Sequence, residues 1–183
     1  MKKYKILVIN PGSTSTKISI HENEECIFST SVFHDSKDLL KFPTINDQLD
    51  YRMNVLWNFI EENHIDLSDI DAVVGRGGGC YSVPGGIYTI DEKLIKDTAE
   101  CKGELYHSSM LGVQMARRVQ EKYGGIAIMT NPPVVDELCD LARLTGIKGI
   151  NRKAISHALN LKAVAKKHCE LHDLDYEHCN LIV

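Results

Sequence analysis

The amino-acid sequence predicts one α/β domain built on a mixed central sheet with helices on its faces. Three observations lead there. The opening segments read as strands in direct succession, the later ones alternate helical and strand-like periods, and no linker or internal repeat divides the chain.

The strands come first. Tyr4 to Asn10, Lys17 to His21 and Cys26 to Val32 are apolar-rich runs parted by the polar turn Pro11 to Thr16 and by Glu22 to Glu25, which predicts a meander. From Asn46, a candidate helix cap, the period changes: Leu49, Met53, Leu56 and Ile60 fall on one face of a helix. A short buried strand, Asp71 to Val74, follows. Past the glycine run 77 to 79 and the Pro84-Gly85-Gly86 turn, Ile87 to Ile90 reads as a strand and Asp91 caps a helix to about Glu100. Residues 104 to 122 read as a helix through Leu111, Met115 and Val119, and Ile126 to Met129 as a strand. Val134, Leu138, Leu141 and Thr145 predict a helix closed by Gly146, Arg152 to Leu171 predict a last helix, and Leu181 to Val183 begin a strand. A strand that stops before any following loop predicts the first part of something longer.

Composition narrows the function classes. With 183 residues, 43% of them hydrophobic and 25% charged, the chain has the makeup of one globular domain. Its net charge of −4 argues against a surface that attracts nucleic acid or anionic lipid as a whole. Lys2, Lys3 and Lys5 are followed by only four apolar residues, too few for a signal peptide or a membrane helix. The six cysteines form no CxxC pair and sit mostly in apolar segments, so a cytoplasmic location with reduced thiols is expected.

The strongest chemical signal is Asn10-Pro-Gly-Ser-Thr-Ser-Thr-Lys17, a tight turn between two strands. Its backbone N–H groups, hydroxyls and lysine can receive a phosphate. It lacks the second glycine before the lysine and the following helix that a Walker A loop requires, and a plain polar hairpin turn remains the other reading.

Ile6-Leu-Val-Ile-Asn-Pro-Gly-Ser-Thr-Ser-Thr-Lys17 resembles the first signature of the acetokinase family, and Pro11 is similar to its butyrate kinase branch. The resemblance continues through Asp71-Ala-Val-Val-Gly-Arg-Gly-Gly78, Val83-Pro-Gly-Gly-Ile-Tyr88, Val134-Val-Asp-Glu-Leu138 and His157-Ala-Leu-Asn160. It implies a ribonuclease H-like, actin-like ATPase domain, residues 1–183 forming the first of two. It also implies ATP and Mg²⁺ as cofactors, ADP as product, and a short-chain fatty acid and its acyl phosphate as partners. Neither nucleic acid nor membrane is implied, and the full-length form is expected to be a homo-oligomer.

By the same resemblance, Asn10 meets the transferred phosphoryl group and its metal, with Ser13, Ser15 and Lys17 beside it. Arg76 falls on the substrate-side arginine, a guanidinium suited to holding a carboxylate bidentately and then the charge of an acyl phosphate. His157 falls on the histidine that supports the transferring phosphoryl. Two departures stand out. The position of the family's catalytic aspartate is Asn131, which keeps the size and loses the charge, with Asp136 as the competing candidate. The glycine-rich second phosphate loop and the adenosine-binding domain do not follow. A non-catalytic domain that binds a small acid or acyl phosphate, or pairs with a separate second half, is therefore the alternative. A sugar kinase is disfavoured, since those carry Asp where this chain has Asn10. His168 and His172, at helical spacing, could share a metal, but no second ligand pair accompanies them.

Overall fold

A computed structural model describes residues 2–77, 81–100, 106–155 and 157–183. Three strands open the chain as predicted: β1 (Lys5–Pro11), β2 (Ser15–Glu22) and β3 (Glu25–Phe33) form an antiparallel meander. A one-turn α1 (Ser36–Leu39) leads to a 3₁₀ turn, Asn46–Gln48, that runs into α2 (Leu49–Glu62). Then come β4 (Ala72–Gly75), β5 (Ile87–Thr89) and α3 (Glu92–Ala99). A 3₁₀ turn, Ser108–Met110, enters α4 (Leu111–Tyr123), followed by β6 (Ile126–Thr130), the short α5 (Asp140–Arg143), α6 (Ala158–Leu171) and a 3₁₀ turn, Tyr176–His178.

The sheet order is β3-β2-β1-β4-β6-β5, with β1, β4 and β6 parallel and the outer strands antiparallel. Alternation decides the faces. Leu7 and Ile9, Ile18 and Ile20, Val73, Ala127 and Met129 point to one side and pack on Met53, Leu56 and Ile60 of α2 and on Leu111, Met115 and Val119 of α4. Each Leu, Ile, Val or Met side chain withdrawn from water contributes about 1.5–3 kcal/mol, so this face carries most of the stability. On the other face α6 is mostly exposed, with only Ala165 and Cys169 buried.

Two glycines let α4 come close to the sheet. A Cβ on Gly75 would lie 2.3 Å from the Gly112 carbonyl oxygen, and one on Gly112 would lie 2.3 Å from that of Arg76. Without side chains there, the start of α4 rests against the end of β4. That contact backs the residue that follows the strand, Arg76.

Several expectations are corrected. Asn46 does not cap α2: its amide donates to the carbonyls of Thr98 and Ala99 and accepts from Gln114, tying α2 to α3 and α4. At the entry to the 3₁₀ turn that leads into α2, Thr44 and Asp47 each bond the other's backbone N–H. Of the helix predicted through Val134 and Thr145 only α5 forms. Pro132-Pro133 precede it, Val135 pairs with Val83, and the Asp136 carboxylate takes the Leu138 N–H, so the segment is extended where the apolar spacing looked helical. The last helix begins at Ala158 rather than Arg152, because Asn151 bridges Leu144 and His157 takes a left-handed backbone. Leu181 to Val183 pair with no strand among the described residues. The helix expected from 104 starts at the 3₁₀ turn Ser108–Met110, while residues 104 and 105, like Gly78 and Gly79, lie outside the described residues.

Candidate active site

Three parallel strands end side by side, and ligands in such sheets gather beyond their carboxyl ends. β1 and β4 register Ile9 with Gly75, and β4 and β6 register Gly75 with Met129. Asn10, Arg76 and Asn131 are therefore delivered to one rim of the sheet from positions far apart in the chain. The Arg76 amide, bonded to the Ile9 carbonyl at 2.9 Å, carries the pairing one residue past β4. His157, at the start of α6, closes the group from above the open face.

The Arg76 Nη2 meets the His157 Nδ1 at 2.9 Å. A guanidinium has only donors, so Nδ1 accepts and the neutral ring keeps its proton on Nε2. Burial first, then the Arg76 and His107 charges, hold the His157 pKa below the ordinary histidine value, which agrees with a neutral ring.

Two cavities share Asn10, Arg76 and His157 as a common wall. One, of about 360 Å³, is lined by Val8, Val74, Leu159 and Ala163 with Thr130, Asn131 and Asn160. The other, of about 440 Å³, is lined by Pro11, Gly12, Pro133 and Ile155 with His107 and Ser109. Among the described residues no Asp or Glu lines either, while Arg76 does, so both cavities suit an anion beside an apolar group.

Asn131 sits at φ 45°, a backbone region that asparagine tolerates better than most residues. Its Oδ1 accepts from the Gly86 N–H at 3.0 Å, and its own N–H bonds the Gly86 carbonyl at 3.2 Å. The side chain thus locks the β5–β6 end while bordering the first cavity. Asp136 lies elsewhere, held by both terminal nitrogens of Arg143 at 2.8 and 3.0 Å, and lines neither cavity. Arg143 keeps its carboxyl below the usual carboxylate range.

The structure groups Asn10, Arg76, Asn131 and His157. Ser13, Ser15 and Lys17 lie on the same sheet edge but line neither cavity. Their turn rests on a residue that sequence reasoning missed. Arg52 is fully buried and donates to the carbonyls of Gly12 at 2.8 Å and Ser13 at 2.7 Å and, through Nε, to the Gln48 Oε1 at 3.1 Å. A signal was present: Arg52 stands at i+3 from Leu49 and i−4 from Leu56, a cation on an apolar stripe. His107, whose Nδ1 accepts from the Ser109 N–H, was missed as well, and no spacing marks it.

No group of three His, Cys, Asp or Glu side chains among the described residues could hold a metal ion; His168 and His172 stack with ring centres 4.5 Å apart. Also among the described residues, no helix is long and apolar enough to cross a membrane.

No protein-family model matches the chain. It is 44% identical over 182 residues to butyrate kinase 2 of Clostridium acetobutylicum, covering 99% of this chain and 51% of that protein. It is 40% identical over 181 residues to a probable butyrate kinase of Clostridium botulinum, covering 98% and 50%. The chain therefore spans about half the length of the curated relatives it matches. Among solved structures it superposes on acetate kinase of Porphyromonas gingivalis with a TM-score of 0.61 at 15% identity, covering 94% of this chain and 50% of that one. Acetate kinase of Entamoeba histolytica follows with 0.53 at 16%, covering 91% and 46%. The fold is that of about half of an acetate kinase, and the sequence is similar, almost end to end, to about half of a butyrate kinase.

Proposed function

We propose that this chain is the acid- and phosphate-binding part of a short-chain carboxylate kinase of the butyrate kinase type, which moves the γ-phosphoryl of ATP to a short fatty acid. The observation that carries this reading is the contact of Arg76 with a neutral His157 at the wall shared by the two cavities, beside Asn10. The sequence similarity to butyrate kinases supports the reaction class.

In this reading a carboxylate oxygen attacks the γ-phosphorus, the bond to the bridging oxygen breaks, and ADP leaves with the electron pair. Arg76 pairs with the acid and then neutralises charge on the acyl phosphate. His157 gives its Nε2–H to an equatorial oxygen, while Arg76 fixes its tautomer through Nδ1. Asn10, with Ser13, Ser15 and Lys17, receives the phosphates. Among the described residues the cavities hold no carboxylate that would make a resident Mg²⁺ site, so the ion fits best as part of the nucleotide substrate, bound by its phosphates. Apolar walls beside Arg76 suit a short alkyl chain. At its full length we place the protein in the cytosol as a homo-oligomer.

The test is hydroxamate trapping by the full-length protein with butyrate, propionate or acetate, ATP and Mg²⁺. Acyl hydroxamate formation is expected, and none from the 183 residues alone. A full-length protein silent with all three acids overturns the reading. The neutral Asn131, tied to Gly86, favours a second reading, a domain that binds an acyl phosphate without turnover. Calorimetric binding of butyryl phosphate by an inactive full-length protein identifies that case.

A further inference from the structure

The turn between β1 and β2 has an asymmetry of hydrogen bonding. All four of its carbonyls, from Gly12 to Ser15, are taken. Gly12 O and Ser13 O accept from Arg52, Thr14 O from the His34 N–H at 2.9 Å, and Ser15 O from the Gly12 N–H at 2.7 Å, with Arg52 also at 3.5 Å. The amides of Ser13 and Thr14, both exposed residues, have no partner among the described residues. Successive N–H groups without partners are the donors from which an anion-binding concavity is built.

Two of the four carbonyls, those of Gly12 and Ser13, are gathered by one side chain. Arg52 is 0% exposed, and among the described residues no carboxylate pairs with it. A buried guanidinium with only neutral acceptors is costly unless its donors are met, and here the turn's carbonyls meet them. The positive charge then stands directly beneath the turn, with no carboxylate among the described residues to cancel it. His34, buried beside the turn, cannot take over as a cation: its Nε2 bonds the Thr16 hydroxyl at 2.8 Å, and burial with the nearby Arg52 keeps it neutral.

We propose that Arg52 is a positioning residue for phosphate binding, its planar fork holding the turn's carbonyls inward so that the Ser13 and Thr14 amides face a phosphate. This rests on the reading of the turn as a phosphate site and adds the residue that shapes it. Arg52 touches no substrate and acts through the turn. A lysine keeps the charge and loses the fork, so it separates geometry from charge.

The experiment titrates the full-length protein with inorganic phosphate and follows the Ser13 and Thr14 amide resonances, in the wild type and in Arg52→Lys. The wild-type amides are expected to shift with saturation, and Arg52→Lys to bind phosphate about tenfold more weakly, the effect of losing one or two charge-assisted hydrogen bonds. In kinetics the same variant is expected to raise KM for ATP and leave KM for butyrate unchanged. A merely structural role would lower Tm and the active fraction with both KM values intact. Unshifted wild-type amides, or a folded Arg52→Lys with unchanged phosphate binding, overturn the proposal. Should Arg52→Lys fail to fold, Gln48→Leu decides, since it removes only the acceptor of Nε: weaker phosphate binding supports the proposal and unchanged binding overturns it. A protein that phosphorylates no carboxylate yet shows the amide shifts and their loss in Arg52→Lys refutes the kinase reading and leaves this one standing.

Discussion

Arg76 donates to Nδ1 of His157 across 2.9 Å, though 81 residues separate them in the chain. The contact couples the residue proposed to hold the acid with the residue proposed to steady the phosphoryl group. Removing either side chain should therefore be felt by both substrates.

In the full-length protein, Arg76→Ala is expected to lower kcat/KM by about 10²–10³-fold for both the acid and the acyl phosphate, the range for losing one donor aimed at developing charge. The side chain is only partly buried, so Tm should change little. Steady-state kinetics in both directions with a melting curve check this, and an unchanged kcat/KM with either substrate removes Arg76 from the site.

His157 gives a pH dependence with a definite sign. Its pKa lies below 6.5, burial being the largest cause, and the neutral ring is the form that accepts from Arg76. Activity should hold as pH falls past 6.5 and be lost only as pH drops through the lowered value. The acid limb of the kcat/KM profile measures it. In Arg76→Gln that limb should move up toward 6.5, since one of the depressing charges is gone, and a limb that stays put denies the coupling.

Asn131→Asp should raise kcat by about 10²-fold, the low end of what a positioned acid–base group supplies. One oxygen can still accept from the Gly86 N–H, and a negative charge is added at the cavity wall. Asp136→Asn breaks the bidentate pair with Arg143 and should lower Tm more than kcat. A silent Asn131→Asp beside a dead but well-folded Asp136→Asn reverses the assignment.

His34 sets a stability dependence. Burial first and the Arg52 charge second depress its pKa from 6.5 to about 4 in the folded chain. A depressed histidine binds its proton more weakly folded than unfolded, so stability falls as pH drops from 6.5 toward about 4, by at most about 1.4 kcal/mol per pH unit. Denaturant midpoints across that window should decline, and His34→Gln, which can still meet the Thr16 hydroxyl, should flatten the decline. An equally steep slope in the variant assigns the effect to other groups.

Much of this was written locally in the chain. Alternating apolar residues in the first three strands, the 4-3-4 spacing from Leu49 to Ile60 and Asp91 before α3 determined those elements, since each depends on neighbours a few residues away. The motif around Asn10, with Arg76 and His157, was legible because residue types and order are sequence properties. Tertiary structure decided the rest. Parallel pairing of β1, β4 and β6 brings Asn10, Arg76 and Asn131 to one rim, and no local period encodes which strands become neighbours. The helix expected from Val134 gave way because the long-range Val83 pairing, helped by the Asp136–Arg143 ion pair seven residues apart, outweighs a weak helical preference. Arg52 shows the same division: its place on an apolar stripe was visible in the sequence, but the carbonyls that accept from it belong to a turn some forty residues away, brought within hydrogen-bond reach only when α2 packs beneath the sheet.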